Sequence, residues 1–203
     1  KHFESKQISS VPVYLDSPLA IKITEIYERV KNLYNKESTT AARKDDIFKF
    51  SELKETANVR DSREIANVSG AKIIIAGSGM STAGRIVGHE EIFLPVPNST
   101  ILLVGYQGVG TLGRQIEEGI KKVTIDNEQI TIRARVEKIH GFSGHADSDA
   151  LVDFVSESAK TLKKVFIAMG EPKSSIFLSQ RLRDELEVDA VVVEKGKMYE
   201  LDL

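Results

Sequence analysis

The chain has 203 residues, 41% of them hydrophobic and 29% charged, with 28 Lys plus Arg against 30 Asp plus Glu. This is an ordinary globular composition, long enough for one large or two small domains, and its near-balance of charge excludes a chain that binds nucleic acid through a global positive field. The absence of Cys excludes disulfides, thiolate zinc sites and a Cys nucleophile, and fits a reducing compartment.

Zinc would then need His and carboxylates. The only His are His2, His89, His140 and His145, and no two stand at the i, i+2 or i, i+4 spacing that lets imidazoles converge on one ion. No zinc site is therefore expected from this chain alone. No signal peptide and no bilayer-length apolar run occur, so the expectation is a cytoplasmic protein without a membrane partner. The opening at Lys1, with no start-of-domain pattern through Ser10, suggests a fragment.

In chain order, Val11 to Leu15 reads as a strand and Asp16-Ser17-Pro18 as a capping pair followed by Pro in a first helical turn. Leu19, Ile23, Ile26, Tyr27, Val30, Leu33 and Tyr34 recur at helical spacing, which predicts a helix over 18–36. Lys36 to Asp46 reads as a loop, with helical turns expected near Ser51 to Thr56 and Ser62 to Ala66. Lys72 to Ala76 is a dense apolar strand leading into Gly77-Ser78-Gly79-Met80-Ser81-Thr82-Ala83-Gly84-Arg85 and then a helix. The grammar repeats with strand Thr100 to Val104, Gly105-Tyr106-Gln107-Gly108-Val109-Gly110-Thr111-Leu112-Gly113-Arg114, and a helix through Glu118.

Two such loops belong side by side at the carboxyl edge of a parallel sheet, where open α/β folds bind ligands. Each joins backbone N–H groups at a helix start to an Arg one turn in, which suits a phosphate, although glycines also close ligand-free turns. Neither loop matches the GxxxxGK[ST] pattern of an NTPase. Val123 to Ile125 and Ile130 to Val136 predict a hairpin about Asp126-Asn127-Glu128.

Gly141-Phe142-Ser143-Gly144-His145-Ala146-Asp147 then joins an extended run to a helix. Between two small residues His145 is open to a substrate, and Ser143 and nearby amides can donate towards an anion; the alternative is a helix entry capped by Asp147 or Ser143. Beyond lie a helix using Leu151, Val152, Phe154 and Val155, a strand over Lys164 to Ala168, and a helix with Ile176 to Leu186. Strands at Ala190 to Val193 and Met198 to Leu201 end the chain. Alternation of strand and helix makes the class α/β.

Asp16-Ser17-Pro18-Leu19-Ala20, Gly77-Ser78-Gly79-Met80 with Gly84-Arg85, Gly105-Tyr106-Gln107 with Gly110 to Arg114, Phe142 to Asp147, and Gly170-Glu171-Pro172 together resemble the β-CASP branch of metallo-β-lactamase-fold nucleases. That group includes RNase J and the cleavage and polyadenylation endonuclease. The resemblance implies that residues 1–139 are the later part of a parallel-sheet β-CASP domain and 140–203 the C-terminal, RNA-specificity segment of the metallo-β-lactamase fold. It implies RNA phosphodiester hydrolysis by two zinc ions in the full-length parent, whose His-x-His-x-Asp-His metal motif would lie in a missing N-terminal segment.

Under the same resemblance His145 is a catalytic acid or phosphate ligand. Ser78, Gly79, Met80, Ser81, Thr82, Gly84, Arg85, Tyr106, Gln107, Gly110, Thr111, Arg114 and Ser143 hold RNA, mainly by its backbone, with Tyr106 stacking on a base. RNA, the missing segment and a second copy of the chain are the implied partners. The family carries a zinc-ligating His where this chain has Met169, and a thioether is a poor zinc ligand. A non-catalytic RNA-binding or assembly subunit is therefore the first alternative, and an α/β module for a small phosphorylated ligand the second.

Overall fold

A computed structural model describes residues 10–44, 48–139, 141–142 and 144–200. β1 (Val13–Asp16) is buried along its whole length, as an internal strand must be. β2 (Leu53–Glu55) and β3 (Ile73–Ala76) flank it in parallel, with Val13 opposite both Leu53 and Ile73. The helical turns expected near Ser51 to Thr56 are thus replaced by a short strand. Thr56 N continues that ladder by donating to Leu15 O at 3.1 Å, a tertiary pairing stronger than local propensity.

α1 (Pro18–Arg29) starts where Ser17 Oγ accepts from Ala20 N at 3.3 Å, and it is shorter than its apolar periodicity predicts. A 3-10 turn over Lys31–Leu33 follows and Tyr34 is extended, ending the helix. α2 (Lys36–Lys44) then forms where a loop was expected. Asn35 Oδ1 restarts it by accepting from Ser38 N at 2.7 Å.

α3 (Val59–Glu64) is capped by Asn58 and leads through a 3-10 turn, Ile65–Asn67, towards β3. After β3 come α4 (Arg85–Phe93), β4 (Thr100–Leu103) and α5 (Leu112–Glu117). β5 (Lys122–Ile125) and β6 (Glu128–Thr131) form the expected antiparallel hairpin, with Val123 opposite Ile130. Its second arm stops earlier than predicted, because Arg133 N and Ala134 N both donate to Leu94 O, at 2.8 and 2.9 Å, and turn the chain away. β7 (Arg135–Lys138) then pairs in parallel with β4. Leu94, Ile116, Val123 and Ile125 form the buried cluster that fastens these elements together.

The chain divides into two units at 143/144. In the second, α6 (Ser148–Ser156) begins at Asp147, whose Oδ1 accepts from Ala150 N at 2.9 Å. β8 (Val165–Ile167) and β9 (Ala190–Val192) pair in parallel, and α7 (Pro172–Leu186) makes the crossover between them. Val152, Ile167, Leu182, Val188 and Ala190 are its core. The strand expected at Met198 to Leu201 does not form over 198–200, and Leu201 lies outside the described residues. Tyr199 instead packs edge-on against Phe166, ring centroids 5.5 Å apart, and its hydroxyl accepts from Glu194 N. The architecture is α/β with parallel pairing, and no helix among the described residues is long and apolar enough to cross a membrane.

Candidate functional site

The two glycine loops follow the carboxyl ends of β3 and β4 and are bound to each other. Gln107, with no exposed surface, donates from Nε2 to Gly79 O at 2.8 Å and to Gly105 O at 3.0 Å. Gly113 N donates to Met80 O at 3.1 Å. Gly113 must lack a side chain here, since a Cβ would collide with Gln107 Oε1 and lie 3.0 Å from the Met80 carbonyl carbon. The Gln107 Oε1 atom is buried against this glycine without a hydrogen-bond partner among the described residues.

The first loop closes on itself. Ser78 N donates to Ala83 O at 3.1 Å, Ile86 N to Gly77 O at 3.2 Å, and the Ser78 and Thr82 hydroxyls lie 3.0 Å apart. Gly84, at φ 82°, allows the closure, because a Cβ there would stand 2.5 Å from Gly77 O. In the second loop Thr111 Oγ1 donates to Gly108 O at 2.7 Å and accepts from Arg114 N at 3.2 Å, so one hydroxyl shapes the loop and caps α5. Gly110 has φ 84° and Tyr106 is half exposed.

Both arginines are held by protein partners. Arg114 Nε lies 2.6 Å from Glu118 Oε1, and its Nη1 donates to Gln107 O at 3.3 Å. Arg85 turns inward, donating to Asp16 Oδ1, to Thr56 O at 2.6 Å and to Ala57 O at 2.9 Å. Asp16 was read as part of a helix cap, yet Ser17 does that work. The Asp16 carboxylate has no exposed surface and also accepts from Thr56 Oγ1 and Ser62 Oγ, each at 2.6 Å. His89 Nε2 lies 2.7 Å from Oδ2, and an acceptor-only carboxylate assigns the ring proton to that nitrogen. Burial pushes this carboxyl up, but hydrogen bonds from Ser62, Thr56, His89 and Arg85 outweigh it and hold the group below the ordinary range.

Next to His89 on α4, Glu90 is buried and accepts from Ser81 Oγ, while its Oε2 has no partner among the described residues. Burial raises its carboxyl to about 7 against the smaller opposing effect of the Ser81 bond. Ser81 itself is buried with φ 55°, so Glu90 holds a residue in left-handed backbone at the centre of the first loop. Asp16, His89 and Glu90 were not predicted as site residues. The available signals were an acidic residue ending an apolar strand and Arg85 with His89 four apart on one helix.

In the second unit His145 is exposed, two residues before the Asp147 cap of α6. Ser143 lies outside the described residues. Met169 is fully exposed, with φ 65°. No group of three His, Asp or Glu side chains among the described residues could hold a metal ion, and Asp16 and His89 are already joined to each other.

Residues 1–116 match the family model described as the Beta-Casp domain, and 129–193 match that of the Zn-dependent metallo-hydrolase RNA specificity domain. The chain is 30% identical over 177 residues to Ribonuclease TTHA0252 of Thermus thermophilus, covering 87% of this chain and 40% of that protein. It is 30% identical over 195 residues to an RNase J-like protein of Methanocaldococcus jannaschii, covering 96% and 44% respectively. A third relative, transcription termination factor FttA of Pyrococcus horikoshii, is 34% identical over 128 residues, 61% of this chain and 20% of that protein. The chain spans less than half the length of these relatives. With more than half of its residues matching the Beta-Casp model, the chain belongs to the β-CASP family of metallo-β-lactamase-fold RNA-processing proteins.

Proposed function

We propose that this chain is the RNA-holding and partly catalytic portion of a zinc-dependent ribonuclease that hydrolyses RNA phosphodiester bonds. The observation that carries this reading is the pair of strand, glycine loop and helix units tied edge to edge through Gln107 and Gly113. Two such loops give successive phosphates adjacent sets of backbone N–H groups and hydroxyls. Ser78, Thr82 and Thr111 are the hydroxyl contacts in this reading, Gly79 and Gly110, where a Cβ would meet open space, allow close approach of the strand, and Gly84 serves by closing the first loop. Ser81 and Gln107, both buried, enter as supports, while Tyr106 stacks on a base. Arg114 brings positive charge to the end of the second loop, while Arg85, paired with the buried Asp16, supports the first loop from within.

Residues 1–139 would be the later β-CASP portion and 140–203 the C-terminal metallo-β-lactamase segment. In the parent, zinc would be held by side chains outside this chain and would supply Lewis-acid chemistry at the phosphate. His145 would hold a phosphate oxygen or deliver a proton to the leaving oxygen. A cytoplasmic location and a homodimer belong to the same proposal.

Met169, fully exposed where the family carries a zinc-ligating His, favours a second reading, a non-catalytic RNA-binding or assembly subunit. Cleavage by the full-length parent with bound zinc separates the two. The RNA-holding claim is tested by competing a labelled single-stranded RNA off the 203-residue chain. Unlabelled RNA is expected to displace it far better than a mononucleotide. Equal displacement would instead identify a module for a small phosphorylated ligand.

A further inference from the structure

An open cleft of about 330 Å³ lies between the two glycine loops and the turn of the β5–β6 hairpin. Its walls divide by chemistry. Val87, Leu112 and Ile125 are apolar, Thr82 and Thr124 add hydroxyls, and the Ser81 and Thr111 hydroxyls already donate to Glu90 and to Gly108 O. Asp126 brings the one formal charge among the lining residues. No hydrogen bond or ion pair engages its carboxylate among the described residues. Asp126 and Asn127, at φ 46° and 67°, form the hairpin turn, so the carboxylate rides on a turn of fixed geometry and not on a loose loop.

A carboxylate on a lining that holds no cation favours a flat group with N–H donors on its edge, with the phosphates kept to the loop side of the cleft at Thr82 and Thr111. The volume stands at the lower end of small-ligand pockets, enough for one nucleobase. The bases differ in what they offer two parallel acceptor oxygens. Guanine presents N1–H and N2–H side by side. Adenine and cytosine place an acceptor nitrogen beside their amino group, and uracil sets its one N–H between two carbonyls that oppose the carboxylate.

We propose that this cleft is a base pocket that selects guanine in single-stranded RNA, with Asp126 as the specificity-determining acceptor. The proposal rests on the RNA-holding reading above: the strand follows the glycine loops while one base turns into the cleft. Asp126→Asn tests it, because Asn also tolerates left-handed backbone and keeps the turn, yet offers one acceptor and one donor in place of two acceptors.

Affinities of the 203-residue chain are measured for a uridine oligomer and for the same oligomer carrying one guanosine, with circular dichroism to confirm that the variant folds. The guanosine oligomer is expected to bind about tenfold tighter, as one bidentate base contact supplies. In Asp126→Asn the ratio should fall close to one. Equal affinities in the unaltered chain, or an undiminished ratio in the folded variant, would overturn the guanine pocket and leave RNA holding in place. Failure to bind either oligomer would overturn the pocket together with the RNA-holding reading.

Discussion

Asp16 and Glu90 sit near each other in the first unit with opposite electrostatic fates, and the difference lies in their donors. Asp16 is saturated by Thr56, Ser62, Arg85 and His89, whereas Glu90 has only Ser81 among the described residues. Glu90 keeps its proton in the folded chain up to about pH 7. The unfolded chain releases it near the ordinary carboxylate value, so this group's contribution to stability falls as pH rises between the two values and is level above them. Asp16, with its depressed value, contributes stability above the ordinary carboxylate range that is lost as pH falls through its folded value.

Glu90→Gln should therefore stabilise the chain at pH 8 by up to roughly 3 kcal/mol, with the gain fading below about pH 5. Melting curves of both proteins at the two pH values check this, and a gain that grows towards acid pH would contradict it. His145 belongs to the same scale. His145→Ala in a full-length parent should lower turnover about a hundred- to ten-thousand-fold, with stability changed by less than about 1 kcal/mol, since no core packing is lost. Single-turnover cleavage, RNA titration and melts read these effects separately. A variant that mainly unfolds while its folded fraction cuts normally would make His145 a neighbour of the α6 cap. The Asp16 cluster was illegible in the sequence because a buried acceptor and a capping Asp share the same local letters; only the approach of Thr56, Ser62, Arg85 and His89 distinguishes them.

At the scale of elements, the loops make a paired prediction from two glycines. Gly84→Ala meets both left-handed backbone and the Gly77 carbonyl, and should cost about 2–3 kcal/mol and weaken RNA binding. Gly79→Ala finds nothing within 4 Å and should change stability by less than about 0.5 kcal/mol. Chemical denaturation of the two variants decides, and equal losses would mean that the loop's closure is not what Gly84 provides. Arg85→Ala should cost about 3 kcal/mol, because it leaves the buried Asp16 charge short of a donor and two backbone carbonyls unmet. A loss below about 1 kcal/mol would show the Asp16 contact to be dispensable.

The strand, glycine loop and helix pairs were readable because dense apolar strands and glycines are local signals. β2 was not, since Leu53–Glu55 is too short to show alternation and exists only through β1. α2 was hidden by its polarity, and its start depends on the Asn35 side chain.

Across the whole molecule, two units carry separate cores, one around Leu94 and Ile116 and the other around Val152 and Leu182. The family was legible because its motifs keep their order along the chain, while the polar network behind them depends on tertiary approach. Charge is near balance, so the RNA holding proposed above must rest on local sites and be sensitive to salt. The most direct test is the affinity of the 203-residue chain for single-stranded RNA across a salt series, repeated with Arg114→Ala. The account predicts that log K falls linearly with log salt and that the variant's slope is shallower by about one phosphate's share. Binding that is insensitive to salt, or a slope unchanged in Arg114→Ala, would contradict a backbone-holding role for the loops.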